Sequence, residues 1–221
     1  MTVSAESSAS DAAETPDHET APAGRSRFGA VWLAVVLALG LIAGLAIGFL
    51  VPRLSTPGDD SAEAGFLRDM STHHAQAVEM SMIAHADSEN SSVITLSSDI
   101  ALTQHGQIGY MQSWLREWNL SPSSSEPPMA WMKDAEGSVK NGLMPGMATP
   151  QQLATLRAAT GNDLNIQYLT LMRQHHLGGI HMAQEILEVS DDEDVTWLAE
   201  TMVRSQQNEI NLIDSMLKQL Q

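Results

Sequence analysis

Two adjacent histidine pairs, His73-His74 and His175-His176, are the side chains of this sequence best suited to chemistry. Each pair has a methionine three residues before it, Met70 and Met172, and another further on, Met80 and Met182. Imidazole and thioether together form a soft donor set that suits Cu(I), and imidazole alone suits Cu(II) or Zn(II). Hard cations want carboxylate and carbonyl oxygens, and few acids stand beside these pairs. The plainer alternative is a buried hydrogen-bonded histidine layer that holds no metal, with methionine as ordinary core filler. The sequence leaves both open.

Other chemistries lack their residues. There is no Glu-x-x-His repeat for a di-iron bundle, no His-Glu-x-x-His, no Gly-x-Ser-x-Gly, no phosphate loop and no dinucleotide fingerprint. Cysteine is absent, which removes disulfides, thiolate ligands and cysteine nucleophiles together. A haem between histidines or histidine and methionine stays open, although no covalent attachment motif exists without cysteine. No acid, base or nucleophile accompanies the histidines, so a non-enzymatic role is expected. The formal charge of −16, from 11 basic and 27 acidic residues, argues against nucleic acid and against a basic membrane-binding face.

The histidines must be positioned by helices. Periodicity and Pro/Gly punctuation predict helices near 60–87, 91–119, 162–189 and 192–220, and a shorter one over 150–160 that Thr149 caps and Gly161 ends. The segment 66–80 repeats at 168–182, an offset of 102 that continues ungapped from Leu96 and Leu198 to Leu115 and Leu217. The domain thus reads as two helical hairpins of equal length, which bury their apolar faces on one another as a four-helix bundle. Phe66, Met70, His73, Ala77, Met80 and Ala84 step by four and three, as do Tyr168, Met172, His175, Gly179, Met182 and Ile186. That is a core stripe, with His73 and His175 on the seam and His74 and His176 beside it. Counting from the hairpin turns puts Gln104 to Gln107 level with His73, and Gln206 to Glu209 level with His175. His85 and His181 break the repeat and are expected at the surface; His105 is expected to approach the layer, and His18 lies in the tail.

Ahead of the bundle, residues 1–27 are small, polar and acidic, the composition of a disordered tail. Residues 28–51 carry no charge and are long enough to span a bilayer as one helix, followed by a linker over 52–62. A cleaved signal sequence is the alternative, but its apolar region is usually about 7–15 residues and nearer the start. Arg25 and Arg27 before the span, against Arg53 after it, favour a cytoplasmic N-terminus and an extracytoplasmic domain over 63–221. The crossover 120–161 adds Met129, Met132, Met144 and Met147. Met144 and Met147 either cover the bundle end or serve as accessible soft ligands.

The duplicated Met-x-x-His-His segments, the Gln-x-x-[Glu/Gln]-Ile pattern and the Met144-Pro-Gly-Met147 loop resemble domain-of-unknown-function family 305 over residues 60–221. The resemblance implies a ferritin-like four-helix bundle, a secreted or membrane-anchored bacterial protein and, as in some members, copper binding. It picks out His73, His74, His175, His176, Met70, Met172, Met80, Met182, Gln104, Gln206 and Glu209. The chain departs from the pattern at Glu63 and Asn165, where an aspartate usually precedes each motif's aromatic by three residues, and at Gln107, an amide in place of a carboxylate. If those acids orient the histidines, the first site is the weaker. The expected function is therefore a membrane-anchored, extracytoplasmic protein that binds copper for buffering or handover; the other reading is a structural module. Its partners would be the lipid bilayer through 28–51, the metal ion, and either a second copy or a copper-handling protein.

Overall fold

The computed structural model describes residues 27–132 and 137–220. Apart from Arg27, the expected tail, with Arg25 and His18, lies outside the described residues. Six helices account for the described secondary structure, with no strand beyond an isolated Lys140–Leu143 bridge. The chain divides into two compact units, residues 1–55 and 56–221.

The first unit contains helix α1, Arg27–Ser55. Within it Gly29–Gly48 is long and apolar enough to cross a membrane, and its described side chains are solvent-exposed. The helix runs four residues past the expected end at 51, through Pro52, because a proline removes one backbone donor without by itself ending a helix. The connection to the second unit is correspondingly shorter than the expected 52–62: α2 starts at Ala62 behind the N-cap Ser61.

The second unit contains α2, Ala62–Asp87; α3, Ser91–Glu117; α4, Pro150–Ala158; α5, Gly161–Leu187; and α6, Glu193–Leu220. Their starts follow from side-chain caps. Ser61 Oγ accepts from the Ala64 amide, and Asn90 Oδ1 accepts from Ser92 and Val93. Thr149 and Gln152 form a reciprocal capping box on α4, with Pro150 at its first turn. Asp192 Oδ1 accepts from Asp194 and Val195 at the head of α6. One expected boundary differs. Gly161 does not end α4, which stops at Ala158; with φ of +56° it is the first residue of α5.

Helices α2 and α3 form one hairpin, α5 and α6 the other, and α2 packs on α5. Phe66, Leu67 and Met70 of α2 share one core cluster with Met182, Ala183 and Ile186 of α5. Ala77, Met80 and Ala84 share the second with Leu164, Tyr168 and Met172. The early half of α2 thus meets the late half of α5, so the two run antiparallel, and every residue of both predicted stripes is buried. His73 and His175 lie where they cross, with ring centroids 3.8 Å apart.

The crossover from α3 to α4 is pinned to α2. Arg68 donates from Nε to the Ser121 carbonyl at 3.0 Å, and Asp69 Oδ2 accepts from the Met129 amide at 2.7 Å and Trp131 Nε1 at 2.9 Å. Further on, Gln76 grips Ala148 on both sides: its Nε2 donates to the carbonyl at 2.9 Å and its Oε1 accepts from the amide at 2.6 Å.

Candidate metal centre

All four histidines of the two pairs are fully buried at the middle of the bundle. Each is held by one nitrogen. His73 Nε2 donates to the Pro145 carbonyl at 2.9 Å, and His175 Nε2 donates to the main-chain carbonyl of His73 at 2.9 Å. His74 Nε2 donates to Gln107 Oε1 at 2.8 Å. His176 Nε2 donates to Glu209 Oε2 at 2.5 Å. A carbonyl or carboxylate oxygen can only accept here, so the proton sits on Nε2 and the lone pair on Nδ1.

Among the described residues nothing uses those lone pairs. The Nδ1 atoms of His73, His74, His175 and His176 are all buried without a hydrogen-bond partner. Gln104 Oε1 and Nε2 and Gln206 Oε1 are buried and unpartnered at the same level. A closed hydrogen-bonded layer would satisfy these atoms, because an unpaired buried polar group costs about 1–3 kcal/mol. Of the four side chains expected at this level, Gln107 and Glu209 are the ones that bond to the histidines.

Electrostatics keep the imidazoles of His73, His74 and His175 neutral. Burial lowers the His73 pKa to about 4, with the Pro145 bond opposing and the charge of His176 adding to the fall. Burial and then the charge of His73 lower His74 to about 3, against the bond from Gln107. His175 is pushed well below its usual value by burial, then by its three histidine neighbours, with its bond to the His73 carbonyl opposing. A neutral imidazole with Nε2–H anchored and Nδ1 free is the metal-ligating form. No group of three or more His, Asp or Glu side chains among the described residues is arranged to close on one ion. A three-donor set here would have to include sulfur. Met70, Met172, Met80 and Met182 are all fully buried and lie in the two clusters that flank the layer.

The Met-Pro-Gly-Met loop is not at the bundle end. It crosses the middle, where Pro145 holds His73. Gly146, with φ of +78°, lies so close to α5 that a Cβ there would stand 2.3 Å from the Gln174 carbonyl oxygen. A Cβ on Gly178 would stand 1.9 Å from the Pro145 carbonyl oxygen. Met144 is buried and Met147 half-buried, so Met144 is not the exposed ligand that the sequence allowed. His105 is exposed and does not approach the layer, while His85 and His181 are at the surface as expected. Asn165 accepts from Ser88 Oγ at 2.7 Å and supports no histidine.

Sequence reasoning missed Gln76, Pro145 and Gly178. The first and last were findable, since the offset of 102 sets Gln76 against Gly178, an amide against a bare backbone, one turn from the histidines.

A family profile described as Domain of unknown function (DUF305) matches residues 63–217. The crystal structure of a DUF305 protein from Streptomyces coelicolor, inferred to be secreted, is similar with a TM-score of 0.68 and 44% identity, over 74% of this chain and 96% of that one. A DUF305 fragment from Deinococcus radiodurans gives 0.60 and 28%, over 72% and 96%. CopM in its Cu(I)-bound form gives 0.56 and 20%, over 72% and 96%, a likeness of fold alone. CopM is also known in Cu(II)-bound and silver-bound forms. No curated protein matches the chain.

Proposed function

The chain belongs to the DUF305 family, and on that premise we propose that it binds copper as cargo, for buffering or handover, at the outer face of a membrane to which α1 anchors it. One observation carries this reading: four buried Nδ1 lone pairs, each on an imidazole whose other nitrogen is already anchored. His73, His74, His175 and His176 would offer Nδ1 as donor, no more than two of them to any one ion, with thioether donors from Met70, Met172, Met80 and Met182 completing the set. Gln107 and Glu209 orient the outer histidines. A site of neutral nitrogen and sulfur donors favours soft ions over magnesium or calcium. The copper- and silver-bound forms of CopM support the choice of metal. The long apolar helix α1 and the Streptomyces relative support an extracytoplasmic domain.

The test is a copper titration of the full chain in detergent against a competing chelator, beside His73→Ala with His175→Ala. The parent should take copper in preference to magnesium and calcium, and the double variant should lose it while circular dichroism shows the helices intact. A folded double variant that binds like the parent would make the histidines structural. Topology is tested separately. Protease added to right-side-out vesicles should degrade the bundle; its protection would overturn the orientation.

A further inference from the structure

An ion bound for the histidine layer must cross the protein around it, and the crossover loop offers a path with a particular chemistry. A surface depression of about 460 Å³ lies along residues 137–149, and Met144, Pro145 and Met147 line it. Pro145 is the residue whose carbonyl holds His73. Met147 is half-buried where it lines this depression, and it packs against the core cluster that contains Met144 and Met70. Met70 stands one helical turn from His74. Methionines thus share one cluster that reaches from the loop to the helical turn beside His74.

The distribution of methionine is lopsided. The cluster under the crossover holds seven buried methionines, and the cluster at the other end holds three. The repeat shows that this is not a requirement of volume. Met111 and Met202 lie in the first cluster, while their counterparts at the offset of 102, Ile213 and Ile100, fill the second. An isoleucine core packs as densely and specifies a structure better than flexible methionine. Concentrating sulfur beneath a loop that lies beside the site has a use if the sulfur is a ligand.

We propose that Met147 and Met144 form an acquisition site for a monovalent soft metal ion, copper(I) or silver(I), which passes from there along the buried thioethers to the histidine layer. The proposal rests on the metal-binding reading above. The ion keeps its charge and oxidation state throughout, and one thioether replaces another as donor, so no oxidant or reductant is involved. Neutral single-donor thioethers exchange ligands readily and hold less firmly than the histidine set, as a path requires.

The experiment follows transfer of Cu(I), under anaerobic conditions, and of Ag(I) from a chromophoric chelator to the full chain in detergent, by stopped flow and at equilibrium. Met144→Leu with Met147→Leu conserves volume. It should slow loading about ten-fold, while equilibrium affinity stays within about two-fold of the parent. Met216→Leu, in the other cluster, should change neither. A double variant that loads as fast as the parent overturns the proposal alone. A matching loss of equilibrium affinity also overturns it, since the two thioethers would then be resident ligands. A parent that takes up neither ion overturns the histidine reading, and this proposal falls with it.

Discussion

In the first hairpin the outer histidine, His74, is oriented by the amide of Gln107; in the second, its counterpart His176 is oriented by the carboxylate of Glu209. Both bonds span 33 residues, so the duplication kept the geometry and changed the chemistry of the partner. A carboxylate makes the imidazole it binds a stronger donor, whereas an amide fixes only its direction. The inner histidines differ as well. His175 leans on the backbone of the first hairpin and His73 on the crossover loop. Between them the loop finds a grip on one side, Gln76, and a gap on the other, Gly178. Two copies of one motif have thus become a ligand set that is symmetric in its donors and asymmetric in its supports.

The largest expected effect tests the symmetric part. His73→Ala and His175→Ala, made singly, should each weaken copper binding by more than about 100-fold, beyond the 10–100-fold typical of losing an orienting partner. Equilibrium dialysis of the folded variants would show it. Parental affinity in one of the two would mean that a single hairpin holds the ion.

Acid comes next, and it acts on both hairpins. His73 and His74 are held near 4 and 3, and His175 well below its usual value. The unfolded chain takes up protons near 6.5, where the folded chain refuses them. Stability is therefore full above pH 6.5 and falls as the pH drops towards 4. The urea midpoint of the metal-free protein should decline already between pH 6.5 and 5, before most carboxylates titrate. A flat midpoint in that window would show that the histidines are not buried as described.

Breaking the asymmetry at the loop should cost less. Gly178→Ala puts a methyl group into the Pro145 carbonyl, and overpacking of this kind costs about 1–3 kcal/mol, partly offset by about 1 kcal/mol of helix propensity. Melting should fall by a few degrees, as it should for Gln76→Gly, which strips both partners from Ala148. An unchanged melting temperature in Gly178→Ala would show that the loop is not seated there. The smallest effect sharpens the outer pair. Gln107→Glu should raise copper affinity and Glu209→Gln lower it, each about ten-fold, and equal affinities across these variants would mean that the partner's charge is irrelevant.

Much of this could be read in the sequence. The ends of the bundle helices fell within about two residues of expectation, helped by local signals such as Ser61, Asn90 and Thr149, whereas α1 ran four residues past its expected end. The helix phase buried both stripes, and counting from the hairpin turns identified Gln107 and Glu209 as level with the histidines. Gln104 and Gln206 share that level, but level is a one-dimensional statement, and which amide reaches a ring depends on rotation about the helix axis. The path of the crossover was not readable at all. It is set by contacts between Gln76 and Ala148 and between His73 and Pro145, each 72 residues apart, and no local pattern encodes a contact at that distance.

Those separations also order events in time. Closing a long loop costs more entropy than closing a short one, so contacts between near neighbours in sequence form more readily. The bonds from His74 to Gln107 and from His176 to Glu209 close within hairpins, whereas Pro145 meets His73 across a separation of 72 residues, only after the crossover has returned to α2. Folding should therefore raise two hairpins first and seat the loop late. Until the hairpins have packed on one another and the loop is seated, the inner histidines are not enclosed, so a newly emerged chain passes through a stage in which the metal needs no path to reach them. Metal present during folding should then load faster than metal added afterwards, and the protein's history, as well as its surroundings, would determine whether it arrives filled.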